Sequence, residues 1–360
     1  MIGALPLAPG SSIGILGGGQ LGRMLALAAA RLGFDVVVLE READSPAGRA
    51  ASKLIVGGYT DEAALAELAA STGLVTYEFE NVPAAAVAWL TAHGVEVAPG
   101  EQALAVAQDR VAAKTFLNAH GAPTVAFAAA ATPEEAVEAV TQIGAPALMK
   151  TRREGYDGKG QRWVKHASDA AAAFAELGGV PVIVEAAADF VRELSIIAAR
   201  GRDGATAVYP LAENHHEHGV LRRSLAPAVA SQAVADQAKR IAARVLAGLD
   251  YVGVIGIELF EMADGRLLVN EIAPRVHNTG HWTQDGCEVD QFEQHIRAVA
   301  GWPLGPTRAS AQVEMLNLLG EEADAWAKYA AEPQTRLHLY GKRGAKPGRK
   351  MGHINRVKPL

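Results

Sequence analysis

The sequence has one cysteine, Cys287, in 360 residues. A single thiol excludes an intrachain disulfide framework. An excess of basic charge is also missing: Lys and Arg total 34 against 40 Asp and Glu, a formal charge of −6. That balance argues against a nucleic-acid-binding surface, which carries a basic patch. No apolar run approaches the ~18 residues of a membrane span. The opening stretch MIGALPLAPGSS lacks the basic and long apolar regions of a secretory signal. The expectation is a cytoplasmic protein with no membrane and no nucleic-acid partner. What remains is an ordinary soluble composition, 49% hydrophobic and 21% charged, on a chain long enough for two or three domains.

Two halves of different pattern follow. SIGILG and FDVVVLE are continuous apolar runs that predict buried parallel strands, and QLGRMLALAAARLG between them has helical periodicity ending at Gly33. KLIVGG, LVTYEFE and VEVAP continue the series with helices between them, which implies a doubly wound α/β sheet with right-handed crossovers. Past about residue 105 the runs PTVAFAAA, PALMKTRR, QRWVKH and PVIVEAAA, then VRELSIIAARGRDG, TAVYPLAEN and GVLRRSLAPA, predict an α+β half with an antiparallel sheet. The last 55 or so residues hold short strands and the basic loop GKRGAKPGRKMGH.

Five constellations carry chemistry. Gly17-x-Gly19-x-x-Gly22 after a strand is the geometry of a phosphate-binding βα turn, and Glu40 ends the next strand where a dinucleotide ribose would be held. By itself this fits a dinucleotide, another phosphorylated ligand, or a plain tight turn. LMKTRREGYDGKGQ places Lys150 at a strand end before Gly155, Gly158 and Gly160. Such a loop suits covering a triphosphate, although an exposed hairpin turn has the same composition. Glu258 and Glu271 lie on two strands joined by MADG, so a hairpin can set them opposite each other. Converging carboxylates repel unless a hard cation such as Mg²⁺ lies between them.

After Glu271 comes NEIAPRVHNTGHWTQDG, where Arg275, His277, Asn278 and His281 are candidates for a small oxyanion. Zinc on His277 and His281 is a weaker alternative, because Pro and Gly interrupt any helix there. NHHEH at 214–218 fits a solvated loop or a nucleotide contact. Cys287 reads as a small apolar filler. The basic run Lys342, Arg343, Lys346, Arg349 and Lys350 is either a solvated tail or an ordered phosphate-gripping loop.

In this order, GILGGGQLGRML, TYEFENVP, QDRVAAKTFL, GYDGKGQ, RELSII, YPLAEN, NEIAPRVHNTGHWT and PGRKMGHIN make the chain resemble the ATP-grasp ligases. Among these it is similar to the N5-carboxyaminoimidazole ribonucleotide synthetases of purine biosynthesis. The resemblance runs nearly end to end. It implies an ATP-grasp fold: a doubly wound pre-ATP-grasp domain over 1–105, an ATP-grasp domain over 106–305 with a lid at about 125–200, and a small β-rich C-terminal domain over 306–360. It implies ATP-dependent carboxylation of 5-aminoimidazole ribonucleotide by bicarbonate, through carboxyphosphate or CO₂ released from it, with ADP and phosphate leaving.

The resemblance also carries residues. ATP falls to Arg110, Lys150, Gly155, Tyr156, Asp157, Gly158, Lys159, Gly160, Gln161, Glu185, Ala186, Ala187, Ala188, Glu193, His216, Asn270 and Glu271. Mg²⁺, with Mn²⁺ as the alternative, falls to Glu258 and Glu271. The ribonucleotide falls to Gln20, Leu21, Glu80, Asn81, Tyr156, Lys342, Arg349 and Lys350. Arg275, His277 and Asn278 take the bicarbonate and carboxyphosphate site, and Asp157 a role at the amine. A homodimer is implied as well. Under this resemblance Glu40 loses its ribose role. Two departures stand out: Lys346 replaces the more usual Arg before Pro347, keeping charge without the planar fork, and ENHHEHG is unusually rich in His. Three rivals remain in view: a formate-using glycinamide ribonucleotide transformylase of the same superfamily, an NAD(P)-dependent oxidoreductase, and a nucleotide-sensing module without activity.

Overall fold

The computed structural model describes residues 5–155 and 158–360. Tyr156 and Asp157, both expected at the site, lie outside the described residues.

The first unit is a parallel sheet of β1 (Ser12–Leu16), β2 (Asp35–Glu40), β3 (Lys53–Val56), β4 (Leu74–Tyr77) and β5 (Glu96–Val97) in the order 3-2-1-4-5. Helices α1 (Gln20–Arg31), α2 (Glu62–Ser71) and α3 (Ala84–Ala92) make the crossovers. α1 stops where expected: Leu32 is its C-cap and Gly33 takes φ +80°, which an L side chain resists. The strand order reverses between β1 and β4, the crevice where open α/β sheets take ligands. The glycine turn after β1 and the Glu78–Asn81 segment after β4 both open there.

Helices α4 (Glu101–Ala107) and α5 (Arg110–Ala119) lead into a four-stranded antiparallel sheet, with β6 (Phe127–Ala130), β7 (Ala147–Thr151), β8 (Gln161–Val164) and β9 (Val182–Ala186) in the order 6-9-7-8. Helices α6 (Pro133–Ile143) and α7 (Ala170–Glu176) cover it around an apolar cluster that includes Val140, Met149, Phe174 and Val184. The lid sheet ends with β9 at Ala186, and the next strand pairs in a different sheet.

That strand, β10 (Phe190–Arg200), belongs to a nine-stranded sheet with β11 (Thr206–Val208), β12 (Ala212–Glu217), β13 (Val220–Ala226), β14 (Gly253–Met262) and β15 (Leu267–Ala273). α8 (Gln232–Gly248) packs its Ile241, Val245 and Leu246 against this sheet. After α9 (Thr283–Gly286) and α10 (Gln291–Val299), the C-terminal elements follow: β16 (Ala311–Leu319), α11 (Trp326–Ala331), β17 (Thr335–Leu339) and β18 (Lys350–Pro359). These three strands do not form a sheet of their own. β16 pairs with β13 from Arg223↔Leu316 to Ala226↔Val313, so the main sheet runs 15-14-10-12-13-16-18-17.

Candidate active site

The glycine turn is not an open anion cradle. Glu78 Oε1 accepts from the Gly19 amide at 2.5 Å and its Oε2 from the Gly22 amide at 2.8 Å. Glu40 Oε2 accepts from the Gly18 amide at 2.6 Å and from the Tyr59 hydroxyl at 2.9 Å. Gly17, Gly18 and Gly19 are small because these acids need the room. A Cβ at Gly17 would lie 2.5 Å from Glu78 Cγ, one at Gly18 2.5 Å from Glu40 Cγ, and one at Gly19 2.4 Å from Glu78 Oε1. The space a dinucleotide pyrophosphate takes in a fold of this type is thus occupied by the protein's own carboxylates. Glu40, which the local motif offered as a ribose contact, is instead a partner of the turn.

Across the crevice, Arg275 follows β15 and donates from Nε to Glu80 Oε2 at 2.5 Å. Burial opposes both charges, but each holds the other: Glu80 lies below the usual carboxylate range and Arg275 above its ordinary value. Gln108 fixes the same segment by donating to the carbonyls of Glu80 and Val82 at 2.9 and 2.7 Å. The C-terminal loop comes to this edge too. Arg343 pairs with Asp44 at 2.6 Å, Arg49 bonds the Gly341 carbonyl, and the Ala47 amide donates to the Gly18 carbonyl at 2.9 Å. Lys342 donates to the Lys350 carbonyl at 2.9 Å, and Arg349 to the carbonyls of Arg343 and Gly344 at 2.7 and 3.1 Å. These contacts tie the basic run to itself and to the first unit, while Arg343, Lys346 and Arg349 stay exposed.

The acid pair is where the hairpin argument places it. Glu258 and Glu271 are direct cross-strand partners, next to a bulge in β15 at Asn270. Burial and the facing Glu271 push Glu258 well above the usual carboxylate range. Two facing carboxylates fit a hard divalent cation completed by phosphate oxygens and water. Among the described residues no three His, Cys, Asp or Glu side chains converge on a metal position. That arrangement does not suit the zinc alternative. His281 is fully buried, with Nδ1 3.1 Å from Gln291 Nε2.

His277 Nε2 lies 3.8 Å from Glu258 Oε1, and its Nδ1 is 2.8 Å from the Thr279 hydroxyl. Burial and Arg275 keep its pKa well below the ordinary value, so the imidazole is neutral. Asn278 exchanges amide hydrogen bonds of 3.0 and 2.7 Å with Asn317 of β16. Its side chain therefore anchors the 277–280 turn to the C-terminal strands.

The nucleotide candidates gather between the lid sheet and the large sheet. Lys150 pairs with Glu185 at 2.9 Å. Arg110 donates to the carbonyls of Thr151 and Gly155 at 2.8 and 2.9 Å and also to that of Glu154, bracing the foot of the glycine loop. Gly155, Gly158 and Gly160 all have φ between 71 and 76°, the left-handed region where glycine is favoured. His216 Nδ1 meets Glu193 Oε2 at 2.6 Å, and although burial opposes it, the pairing raises the histidine's pKa. The 214–218 stretch is mainly strand β12, not a loop, and Asn214 accepts from the Ser224 hydroxyl at 2.7 Å.

One residue was not singled out from the sequence. Lys114 of α5 is buried beside Lys150, with Nζ 3.4 Å from Glu185 Oε1 and donating to the Asn270 carbonyl at 3.2 Å. Burial lowers its pKa and Glu185 opposes the fall. Its position four residues after Arg110 on one helix face was the available signal.

Three family models cover the chain: a ribonucleotide synthetase preATP-grasp domain over 11–108, an ATP-grasp domain over 115–292, and a phosphoribosylaminoimidazole carboxylase C-terminal domain over 314–359. The N5-carboxyaminoimidazole ribonucleotide synthase of Brucella melitensis is 48% identical, covering 98% of both chains. The chain belongs to the N5-carboxyaminoimidazole ribonucleotide synthase family. It is an ATP-grasp ligase in fold and in membership. The crystal structure of the Thermus thermophilus family member superposes with TM-score 0.91 at 47% identity, covering 96% of this chain and 93% of that one. The Aspergillus clavatus synthase, solved in complex with ADP and 5-aminoimidazole ribonucleotide, gives TM-score 0.91 at 32% identity over 98% and 95% of the two chains. The resemblance read from the motifs is thereby established for this synthase family, fold included.

Proposed function

We propose that the chain uses ATP to carboxylate the exocyclic amine of 5-aminoimidazole ribonucleotide with bicarbonate, giving N5-carboxyaminoimidazole ribonucleotide, ADP and phosphate. A bicarbonate oxygen attacks the γ-phosphorus, the bond to the ADP oxygen breaks, and carboxyphosphate forms. The amine nitrogen then bonds to the carboxyl carbon, of carboxyphosphate itself or of CO₂ released from it. Phosphate leaves, and the amine gives up one proton. Carboxyphosphate is readily hydrolysed, so the lid sheet and its glycine loop serve to exclude water. Lys150, the 155–161 loop, Glu185 to Ala188, Glu193, His216 and Asn270 hold the nucleotide. Glu258 and Glu271 would hold Mg²⁺, or Mn²⁺ in its place, which when bound neutralises charge on the phosphates. Arg275, held in place by Glu80, stabilises the negative charge of the phosphorylated bicarbonate, and neutral His277 lies beside it. Gln20, Leu21, Glu80, Asn81, Lys342, Arg349 and Lys350 receive the ribonucleotide, and the sequence motif assigns Tyr156 and Asp157 to it as well.

The observation that supports this reading is the cross-strand Glu258–Glu271 pair, on which the basic loop's Lys350 acts electrostatically, with the Arg275–Glu80 pair following on the same chain segment. We further place domain divisions near residues 105 and 305, a homodimer, and a cytoplasmic setting. No helix among the described residues is long and apolar enough to cross a membrane. The test is ADP release with ATP and Mg²⁺ while each other substrate is omitted in turn. Turnover should require both bicarbonate and the ribonucleotide, and ADP release indifferent to the ribonucleotide refutes the assignment. A thermal-shift gain with NADH alone, and none with ATP and Mg²⁺, would favour the oxidoreductase instead.

A further inference from the structure

No step above uses Glu78, although it is a buried acid at the ribonucleotide edge of the site, 9% exposed. Helix α1 starts without an acid in its first turn and without a side-chain cap of its own. Its first amides therefore need partners from elsewhere. Gly19 and Gly22 find theirs in the two oxygens of Glu78, and Gly18 in Glu40. Arg23 already bonds the Gly19 carbonyl at 3.1 Å. The first-turn positions left between these contacts are Gln20 and Leu21. A local Ser, Thr or Asp cap would have satisfied the helix at less cost than a carboxylate drawn out of water from the end of β4. The glycines leave space for this acid, since a Cβ at Gly17 or Gly19 would strike it. Burial raises the pKa of Glu78, while the Gly22 and Gly19 amides and, more weakly, the charge of Arg275 oppose the rise.

The geometry points to Glu78 as a positioning residue of the ribonucleotide site. Its carboxyl group fills the inner part of the glycine turn, so that an incoming 5′-phosphate is confined to the Gln20 and Leu21 amides and the basic loop opposite. The inference rests on the ribonucleotide reading of this crevice. It also gives the physical reason that a dinucleotide-type turn takes a monophosphate: a second phosphate would meet the Glu78 and Glu40 carboxylates.

The test compares wild type, E78A and E78Q in the ADP-release assay at saturating ATP and bicarbonate, with folding followed by thermal melting. E78A should raise KM for the ribonucleotide by about tenfold or more, the loss expected when a charged acceptor of two hydrogen bonds is removed. KM for ATP should change by less than about twofold, because the nucleotide lies across the crevice. Acetate, entering the vacated carboxylate position, should recover part of the lost affinity. E78Q has one acceptor oxygen and should fall between the two. Should E78A not fold, the shift in E78Q alone decides. A folded variant with wild-type KM for the ribonucleotide overturns the proposal. So does an equal loss for ATP that acetate does not relieve, which would leave Glu78 a purely structural acid. If the wild type itself releases ADP without the ribonucleotide, the functional reading fails and not this inference alone.

Discussion

At the scale of single residues, the site is a set of charges that need one another. Glu271→Gln keeps the shape of the acid pair and removes one of its two metal-holding charges. ADP release should fall by about 100-fold or more, roughly 2.7 kcal/mol of transition-state stabilisation. Retained turnover in that variant would refute the metal role. Lys114→Met takes away one of the two cations on buried Glu185 and the donor to the Asn270 carbonyl. Denaturant unfolding should show a loss of about 1–3 kcal/mol, the cost of leaving buried acceptors short of a partner. This is also where the sequence was hardest to read. That Glu258 and Glu271 lie on the two arms of one hairpin was legible from the short turn, but their register was not: counted from the turn, Glu258 would face Asn270, and a bulge sets it against Glu271. Glu78 was not legible, because the amides it fills lie 56 and 59 residues away in the chain. The glycine spacing reports the shape of a turn. It carries no information on whether a ligand or the protein's own carboxylate occupies it.

At the scale of elements, helix α5 joins the first unit to the lid, and Asp109 is its N-cap. The Asp109 carboxylate caps the Val111 and Ala112 amides at 3.0 and 3.1 Å and accepts from Arg152 Nε at 2.8 Å. Burial works against its charge, but Arg152 and the capped amides outweigh it, so its pKa lies below the ordinary 3.8. A depressed acid contributes stability in full above its unfolded pKa and loses it as pH falls through the folded value. Asp109→Asn keeps a capping oxygen and discards the charge. The stability gap between wild type and this variant should therefore be widest above about pH 5 and close as pH falls below about 4. A gap that persists at pH 2 would mean the charge is not what matters. The helix itself was legible in QDRVAAKTFL, with Asp109 just ahead of the first helical residue. The salt link to β7 was not, since Arg152 arrives from 43 residues downstream.

At the scale of the whole molecule, the large sheet is the frame that aligns the site. Its Glu258 and Glu271 strands lie at one end and the β16–β18 strands at the other, with Asn317 of β16 gripping Asn278 beside the oxyanion residues. The basic loop before β18 is thus fixed relative to the acid pair by backbone pairing. Amide hydrogen exchange should find β16 and β18 protected to the same degree as β10 and β14, because one ladder holds them all. Markedly faster exchange in the C-terminal strands would instead mark an independent module. That continuity could not be read from the sequence. The resemblance implied a small C-terminal domain over 306–360, while the pairing of Arg223 with Leu316 spans a long connection that no local pattern encodes.

The central claim is that one crevice joins ATP cleavage to carboxylation of a ribonucleotide amine. It is tested most directly by supplying ¹³C-bicarbonate with ATP, Mg²⁺ and 5-aminoimidazole ribonucleotide and following ADP and labelled carbon together. The account predicts one labelled carboxylate on the ribonucleotide's exocyclic nitrogen for each ADP released, and no ADP release above background when the ribonucleotide is absent. ADP formed at the same rate without it, or formed with no label on that nitrogen, would contradict the account.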